Sequence, residues 1–326
     1  MKIVFFGTPS FAAKNLDFLD KKGHNIVSVI SSPDKEKGRG KKITPTHVKL
    51  KALDLKIDVK TPNSLKNEEF ISYLKSLEAD LFIVVAFRML PKEIWQMPNL
   101  GTINLHTSLL PNYRGAAPIN RVLINGEKET GITTFFIDEK IDCGEIILQK
   151  KVELSENTTA AQLHNILMVK GSNLLHNTIN LIEKNKVNSI NQKHELAIKV
   201  APKLTKELTR IDWTNEAKDI HNLIRGLSPF LSNKKNLKDV SICPSAWFNL
   251  TTENGKVLRV KLLLSRFSKQ TNNKVLSIET DQKSFFKINL NKGSIYIEQL
   301  QIAGKNVVNI SQFLQGNNLN EKWIIS

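Results

Sequence analysis

Three side chains of the 326-residue chain have the types and spacing to carry chemistry on a carbonyl group. Asn104 and His106 stand two apart in GTINLHTS (residues 101–108), and Asp142 follows His106 by 36 positions in DEKIDCGEI, where Asp138, Glu139, Asp142 and Glu145 lie between the apolar runs FF and IIL. If GTINLHTS is a strand, period-two alternation puts Asn104 and His106 on one face, about 7 Å apart from Cα to Cα. An amide and an imidazole placed together can donate hydrogen bonds to an oxygen that gains negative charge and give a proton to a leaving group. Taken alone, the pair reads as a hydrogen-bonded strand end. The second polar cluster alters that balance, because a carboxylate beside a histidine fixes the ring and complements its charged form. Asp142, just ahead of Cys143 and Gly144, is the candidate, with an ordinary Asx-turn carboxylate as its other reading.

These residues need a scaffold that brings positions 104–106 and 142 together. KIVFF is a short apolar run ending at GTP, and SFAAKNLDFLDKKG after it has helical spacing that stops at Gly23. HNIVSVISS, ADLFIVVAF (79–87) and GTINLHTS repeat the buried-strand pattern. The alternation predicts an α/β domain with a doubly wound, mostly parallel sheet covered on both faces. Ligands of such sheets sit beyond the carboxyl ends of the strands, where the turn from Pro111 to Gly115 supplies irregular backbone. Gly7 opens the first strand-to-helix turn, but neither GxGxxG nor GxxxxGK[ST] is present, which argues against a nucleotide cofactor.

Residues 31–47, SSPDKEKGRGKKITPTH, are rich in Lys and Arg and lack apolar periodicity, which predicts a long, basic, mobile loop. Helical periodicity returns in TTAAQLHNILMVKGSNLLHNTINLIE, between Thr158 and Glu183. IDWTNEAKDIHNLIRGL then predicts a helix or helix pair, and SAWFNL, KVLRVKLLLSRF, SFFKINL and GSIYIEQLQIAG predict strands of a second, predominantly β domain, most economically a small barrel. The expected division is a first domain over 1–189, a linker over 190–206 and a second domain over 207–326.

Composition bounds the partners. Apolar residues make up 40% of the chain, and no segment approaches the eighteen apolar residues of a membrane span. MKIVFFGTPSFAAKNLDFLD is too weakly apolar at its start for a signal peptide, so a cytoplasmic protein that does not meet the membrane is expected. Cys143 and Cys243 lie a hundred positions apart, with neither disulfide-framework nor zinc spacing. His164 and His176 read as surface or core residues rather than metal ligands, the four tryptophans as packing anchors, and Cys143 as a turn residue rather than a nucleophile. The net charge is +16, unevenly spread: residues 1–200 carry 28 basic and 21 acidic side chains, residues 201–326 carry 19 and 10. Per residue the tail is about twice as basic, which draws polyanions, although a generally Lys-rich composition gives the same excess.

The run NLHTSLLPNYRGAAPINRVLINGEKETGITTFFIDEKIDCGEI resembles the signature of the formyltransferases that use 10-formyltetrahydrofolate, in which Asn-x-His precedes Ser-Leu-Leu-Pro and an Asp follows about 36 residues after the His. GTPSFAA at the front, GRGKK at 38–42, VVAFRMLP at 84–91 and APKLTKELTRIDW at 201–213 extend the likeness over nearly the whole chain to the methionyl-tRNA formyltransferase family. That resemblance implies a formyltransferase, Rossmann-like first domain and an OB-like second one that binds tRNA. It implies transfer of the formyl group of 10-formyltetrahydrofolate, without a metal, to the α-amino group of methionine on initiator Met-tRNA by a monomer. By the same resemblance Asn104, His106 and Asp142 are the catalytic trio, and Ser108, Leu109, Leu110, Pro111 and Asn112 form the turn that meets the folate. Loop 34–47 would enter the tRNA acceptor end, with Arg39, Lys41 and Lys42 as contacts. Two departures stand out: Phe87 and Arg88 replace a Tyr-Gly pair found in many relatives, and FLSNKKNLKDVSICPSAW exceeds the usual short turn before the barrel. The same trio would serve an enzyme acting on the amine of a sugar nucleotide or on water, and a noncatalytic RNA-binding protein is a rival of another class. The second domain and GRGKK favour tRNA.

Overall fold

Continuous apolar runs build the first sheet of the computed structural model, which describes residues 1–37, 42–192, 199–232, 235–237, 242–270, 275–320 and 322–326. Its elements run β1 (Ile3–Gly7), α1 (Ser10–Lys21), β2 (Ile26–Ile30), β3 (Lys35–Lys37), β4 (Lys42–Thr44), α2 (His47–Asp54), β5 (Val59–Lys60), α3 (Glu68–Ser76), β6 (Leu81–Val85), α4 (Lys92–Trp95), β7 (Thr102–His106), α5 (Pro118–Ile124), β8 (Glu129–Phe136), β9 (Ile146–Glu153) and α6 (Ala160–Glu183). The seven strands of this sheet are ordered β5-β2-β1-β6-β7-β8-β9, so the chain winds outward from β1 in both directions. Neighbours from β5 to β7 are parallel, as the alternating strand and helix pattern predicts. β8 breaks the pattern by pairing antiparallel with β7, Asn104 opposite Phe135 and His106 opposite Thr133. Between β8 and β9 only residues 137–145 intervene, too few for a parallel crossover, and the Phe136 N–H to Glu145 O bond closes an antiparallel hairpin instead.

β1 and β6 are buried along their whole length, as strands covered on both faces must be. Val4, Phe6, Phe82 and Val84 pack on one side with Phe70 and Leu74 of α3. α1 approaches the end of β1 so closely that a Cβ on Gly7 would lie 2.7 Å from that of Ala12. Local chemistry fixes the helix ends: Thr46 and Asn67 cap α2 and α3 through their side chains, and Glu68 and Glu69 meet the positive end of the α3 dipole. The expectation of a long loop over 31–47 needs correction, because β3 and β4 pair antiparallel, Glu36 opposite Ile43. With Ile43 as the only strongly apolar residue of the two arms, the hairpin leaves no hydrophobic period to read.

The chain divides into two compact units, one of Met1–Gly115, Gly131–Val152 and Asn165–Lys199 and another of Ala116–Thr130, Glu153–His164 and Val200–Ser326. The second unit contains α7 (Ala217–Leu227), β10 (Phe230–Ser232), β11 (Lys235–Asn236), β12 (Ala246–Thr251), β13 (Val257–Ser268), β14 (Ser277–Thr280), β15 (Phe286–Asn289), β16 (Ser294–Ile302), β17 (Val307–Asn309), α8 (Ile310–Gln315) and β18 (Ile324–Ile325). Its main sheet follows β14-β15-β16-β13-β12-β18, with β17 beside β16, and its strand pairs are antiparallel. Register shifts around Leu264 curl β13 against β16, giving the half-barrel its bend. The alternating burial of β12 turns Phe248 and Leu250 inward, onto a core shared with Ile220 and Ile224 of α7 and Phe313 of α8. Trp213 joins that core edge-on to Phe248, while half-buried Trp247 lies under Arg259, whose guanidinium sits 3.7 Å from the ring centre. An Asn309–Gln312 capping box starts α8. No described helix is long and apolar enough to cross a membrane.

Candidate active site

β7 lies inside the first sheet, and its register sets Asn104 between Val84 of β6 and Phe135 of β8. Asn104 is half-buried, and its side-chain amide has no hydrogen-bond partner among the described residues. Two residues on, His106 ends the strand with its side chain 7% exposed, and its Nδ1 lies 3.7 Å from Asp142 Oδ2. The two segments meet because β8 and β9, which flank the Asp142 segment, extend the sheet on the β7 side. Asp142 takes the left-handed backbone conformation, φ 55°, and its Oδ2 accepts the Gly115 N–H at 2.8 Å.

Asp142 alone does not orient the histidine. The shorter contact is from His106 Nε2 to the carbonyl oxygen of Tyr113, 2.8 Å away, and the imidazole stands nearly perpendicular, at 86°, to the ring of Phe135. Tyr113 is buried with φ 62°, so the turn after β7 itself presents a carbonyl to the ring. Both ring nitrogens thus face acceptors, a carbonyl on one side and a carboxylate on the other. Sequence reading missed Tyr113, since a backbone carbonyl leaves no trace in residue type. It also missed Gly144, where a Cβ would sit 1.8 Å from the Phe136 carbonyl oxygen, so the Asp142 segment lies against β8 with no space for a side chain.

The turn at 108–112 is a built platform. Ser108 is buried, with its hydroxyl donating to Asn112 O at 2.7 Å, and its carbonyl accepts from Thr133 Oγ1 at 2.7 Å. Leu110 packs with Phe135 and Ile146, and Gln149 Nε2 donates to its carbonyl at 2.8 Å. Leu109 and Pro111 are half-buried and Asn112 is exposed, so these three side chains border the accessible side of the turn. Gly131 in β8 is required beneath it, because a Cβ there would lie 2.3 Å from the Lys150 carbonyl oxygen, with Leu109 Cδ2 of the turn 2.5 Å away.

Arg39 and Lys41 lie outside the described residues, as does the Lys42 side chain, whose backbone belongs to β4. In the departure at 87–88, Phe87 packs on Phe6 with ring centres 5.7 Å apart, and Arg88 donates to the carbonyls of Pro62 and Asn63. Cys143 is half-buried and burial pushes its thiol above the ordinary 9.0, away from the thiolate a nucleophile needs. His164 is buried, and His176 pairs with His24 at 2.8 Å rather than with any carboxylate pattern. Among the described residues no group of three or more His, Cys, Asp or Glu is placed to hold a metal ion.

Comparison with known proteins places the chain in a family. Residues 1–179 match the family model described as "Formyl transferase", and residues 203–318 match "Formyl transferase, C-terminal domain". A protein of Parabacteroides distasonis named methionyl-tRNA formyltransferase is 42% identical, covering 97% of this chain and 95% of its own. Proteins of the same name from Flavobacterium johnsoniae and Bacteroides fragilis are 43% identical, covering 97% and 99% of this chain and 96% and 97% of theirs. Among solved structures, WlaRD, a sugar 3N-formyl transferase determined with dTDP and 5-N-formyl-THF, shares the fold with a TM-score of 0.64 at 22% identity, covering 94% of this chain and 99% of that one. The N-formyltransferase of Helicobacter canadensis, solved with folinic acid and dTDP-3-aminofucose, shares it with a TM-score of 0.61 at 20% identity, covering 91% and 98%. By its two matched family models and its near full-length likeness to these bacterial relatives, the chain belongs to the methionyl-tRNA formyltransferase family.

Proposed function

We propose that this chain transfers the formyl group of 10-formyltetrahydrofolate to the α-amino group of methionine on initiator Met-tRNA. One observation carries the reading: an uncommitted Asn104 amide stands two residues from a histidine that has a carboxylate 3.7 Å from its ring. The folate supplies a formyl carbon bound to nitrogen. An α-amine has an ordinary pKa of about 7.7–8.0, so roughly a tenth or more is neutral at pH 7 and attacks without a strong base. Asn104 donates to the formyl oxygen as it gains negative charge. As the new C–N bond forms and the bond to the folate nitrogen breaks, the attacking amine gives up a proton and the departing nitrogen takes one up. His106 is the group beside Asn104 through which that proton is exchanged, and Asp142 offsets positive charge on its ring. Tyr113 and Gly115 hold these two side chains in place through their main chains.

Ser108, Leu109, Leu110, Pro111 and Asn112 form the folate side of the site, and the rigid bonding of that turn supports the assignment. Residues 1–189 act as the catalytic domain, 190–206 as linker and 207–326 as the tRNA-binding domain. Loop 34–47, through Arg39, Lys41 and Lys42, contacts the acceptor end. The protein works as a monomer in the cytoplasm. The test is incubation with 10-formyltetrahydrofolate and charged initiator tRNA, beside a sugar nucleotide bearing a primary amine. N-formylmethionine on the tRNA is the expected product; formylation of the sugar amine alone, or release of formate alone, would overturn the reading.

A further inference from the structure

We propose that Gln192 is a positioning residue, whose buried amide holds the Asp142 segment in register so that the carboxylate stays beside His106. The inference rests on the catalytic reading above. Gln192 is 5% exposed, and its polar atoms are engaged. Nε2 donates to the carbonyls of Asp142 at 3.0 Å and Gly144 at 2.8 Å, while Oε1 accepts from Arg114 Nε at 3.1 Å and Nη2 at 2.6 Å. The reversed amide would set its oxygen against two carbonyl oxygens and its NH2 against a guanidinium, so only one orientation satisfies the site. Gln192 is itself held: Ile190 and Ile146 exchange both N–H to O bonds at 2.8 Å, which lays residues 189–192 antiparallel to the strand that follows the Asp142 segment.

The consequence is a bracket around the catalytic pair. Arg114 directly follows Tyr113, whose carbonyl orients His106, and directly precedes Gly115, whose N–H binds Asp142. One side chain therefore ties the segment bearing the carboxylate to the turn that bonds both members of the pair. Buried amides saturated in this way are costly to remove, since their partners lose solvent as well as bond. A glutamine in a polar stretch between two domains has no signature that distinguishes this role from an ordinary solvated residue.

The variants Gln192→Leu and Gln192→Glu separate the two sides of the bracket. Leucine removes both. Glutamate keeps an acceptor for Arg114, which favours a folded protein, but turns oxygen toward the Asp142 and Gly144 carbonyls. Both should lower kcat by ~10²-fold, the scale for displacing a catalytic group by about 1 Å, with KM for folate and for tRNA unchanged. Because the effect runs through Asp142, adding Gln192→Leu to Asp142→Asn should cause no further loss. Parental kcat in both Gln192 variants, or multiplication of the losses in the double variant, overturns the proposal. Parental kcat in Asp142→Asn alone is a different result, refuting the catalytic reading on which the bracket depends.

Discussion

Replacing Gly144 with alanine tests whether the closeness of the Asp142 segment to β8 matters to turnover. A Cβ built at 144 lies 1.8 Å from the Phe136 oxygen, and real Cβ contacts do not fall below 3.0 Å, so the segment must retreat by at least about 1.2 Å. Phe136 is paired to Ile103 and cannot give way without unzipping the end of β8. The retreat carries Asp142, whose Oδ2 starts 3.7 Å from His106 Nδ1 and 2.8 Å from the Gly115 N–H. Both contacts are lost or weakened by a shift of that size. A 1 Å misplacement of a catalytic group costs about 10²-fold in rate, and overpacking of this kind costs about 1–3 kcal/mol of stability. The assay is steady-state formylation of charged initiator tRNA beside a thermal melt. Gly304→Ala is the control: that glycine has φ 81° with nothing within 4 Å of a Cβ, so alanine strains the backbone but touches no site residue. It should lower the melting temperature and leave kcat alone. If Gly144→Ala keeps the parental kcat, or loses no more activity than the control at equal stability, the geometric reasoning fails.

Asn104→Ala should lower kcat by two to three decades, the cost of one oxyanion donor, without unfolding the protein, because its amide has no partner among the described residues; parental turnover in single-turnover kinetics would remove it from the site. Stability should decline as pH falls below about 6.5. Burial pushes His24, His176 and His221 below that ordinary value, so they stay neutral in the folded chain while the unfolded chain takes up protons. Their contribution is complete above 6.5 and is lost as pH falls toward the depressed folded values; His24 and His176, 2.8 Å apart, cannot both donate across their shared contact once both are charged. A melting temperature that stays flat between pH 7.5 and 5.5 contradicts this. Arg39→Ala should raise KM for Met-tRNA and leave KM for folate unchanged, and the tRNA KM should climb with added salt as expected for phosphate contacts; equal changes in both constants would refute a loop-specific role.

The first half of the fold was legible because its strands are buried on both faces. IVFF and LFIVV, short apolar runs bounded by turn residues, fit strands of a covered sheet, and Gly23, at φ 79°, stops α1 where the sequence places the stop. The strands of the second unit were legible for the opposite reason, an in-and-out alternation such as that of β12. The β3–β4 hairpin was not, since its arms bury almost no apolar surface and so impose no period.

What the sequence by itself determined is the inventory of the site: the buried strands β1, β6 and β7 that lead to it, that Asn104 and His106 share a face, and that the chain belongs among the formyltransferases. Side-chain type and two-residue spacing are local, and a strand translates them directly into geometry. The tertiary structure alone decided who orients whom. Tyr113 reaches His106 through a carbonyl, Gly115 reaches Asp142 through an N–H, and Gln192 reaches Asp142 and Gly144 across 50 and 48 positions of chain. Main-chain groups are the same in every residue, and long-range contacts depend on strand order and register, so no reading of residue types along the chain contains them.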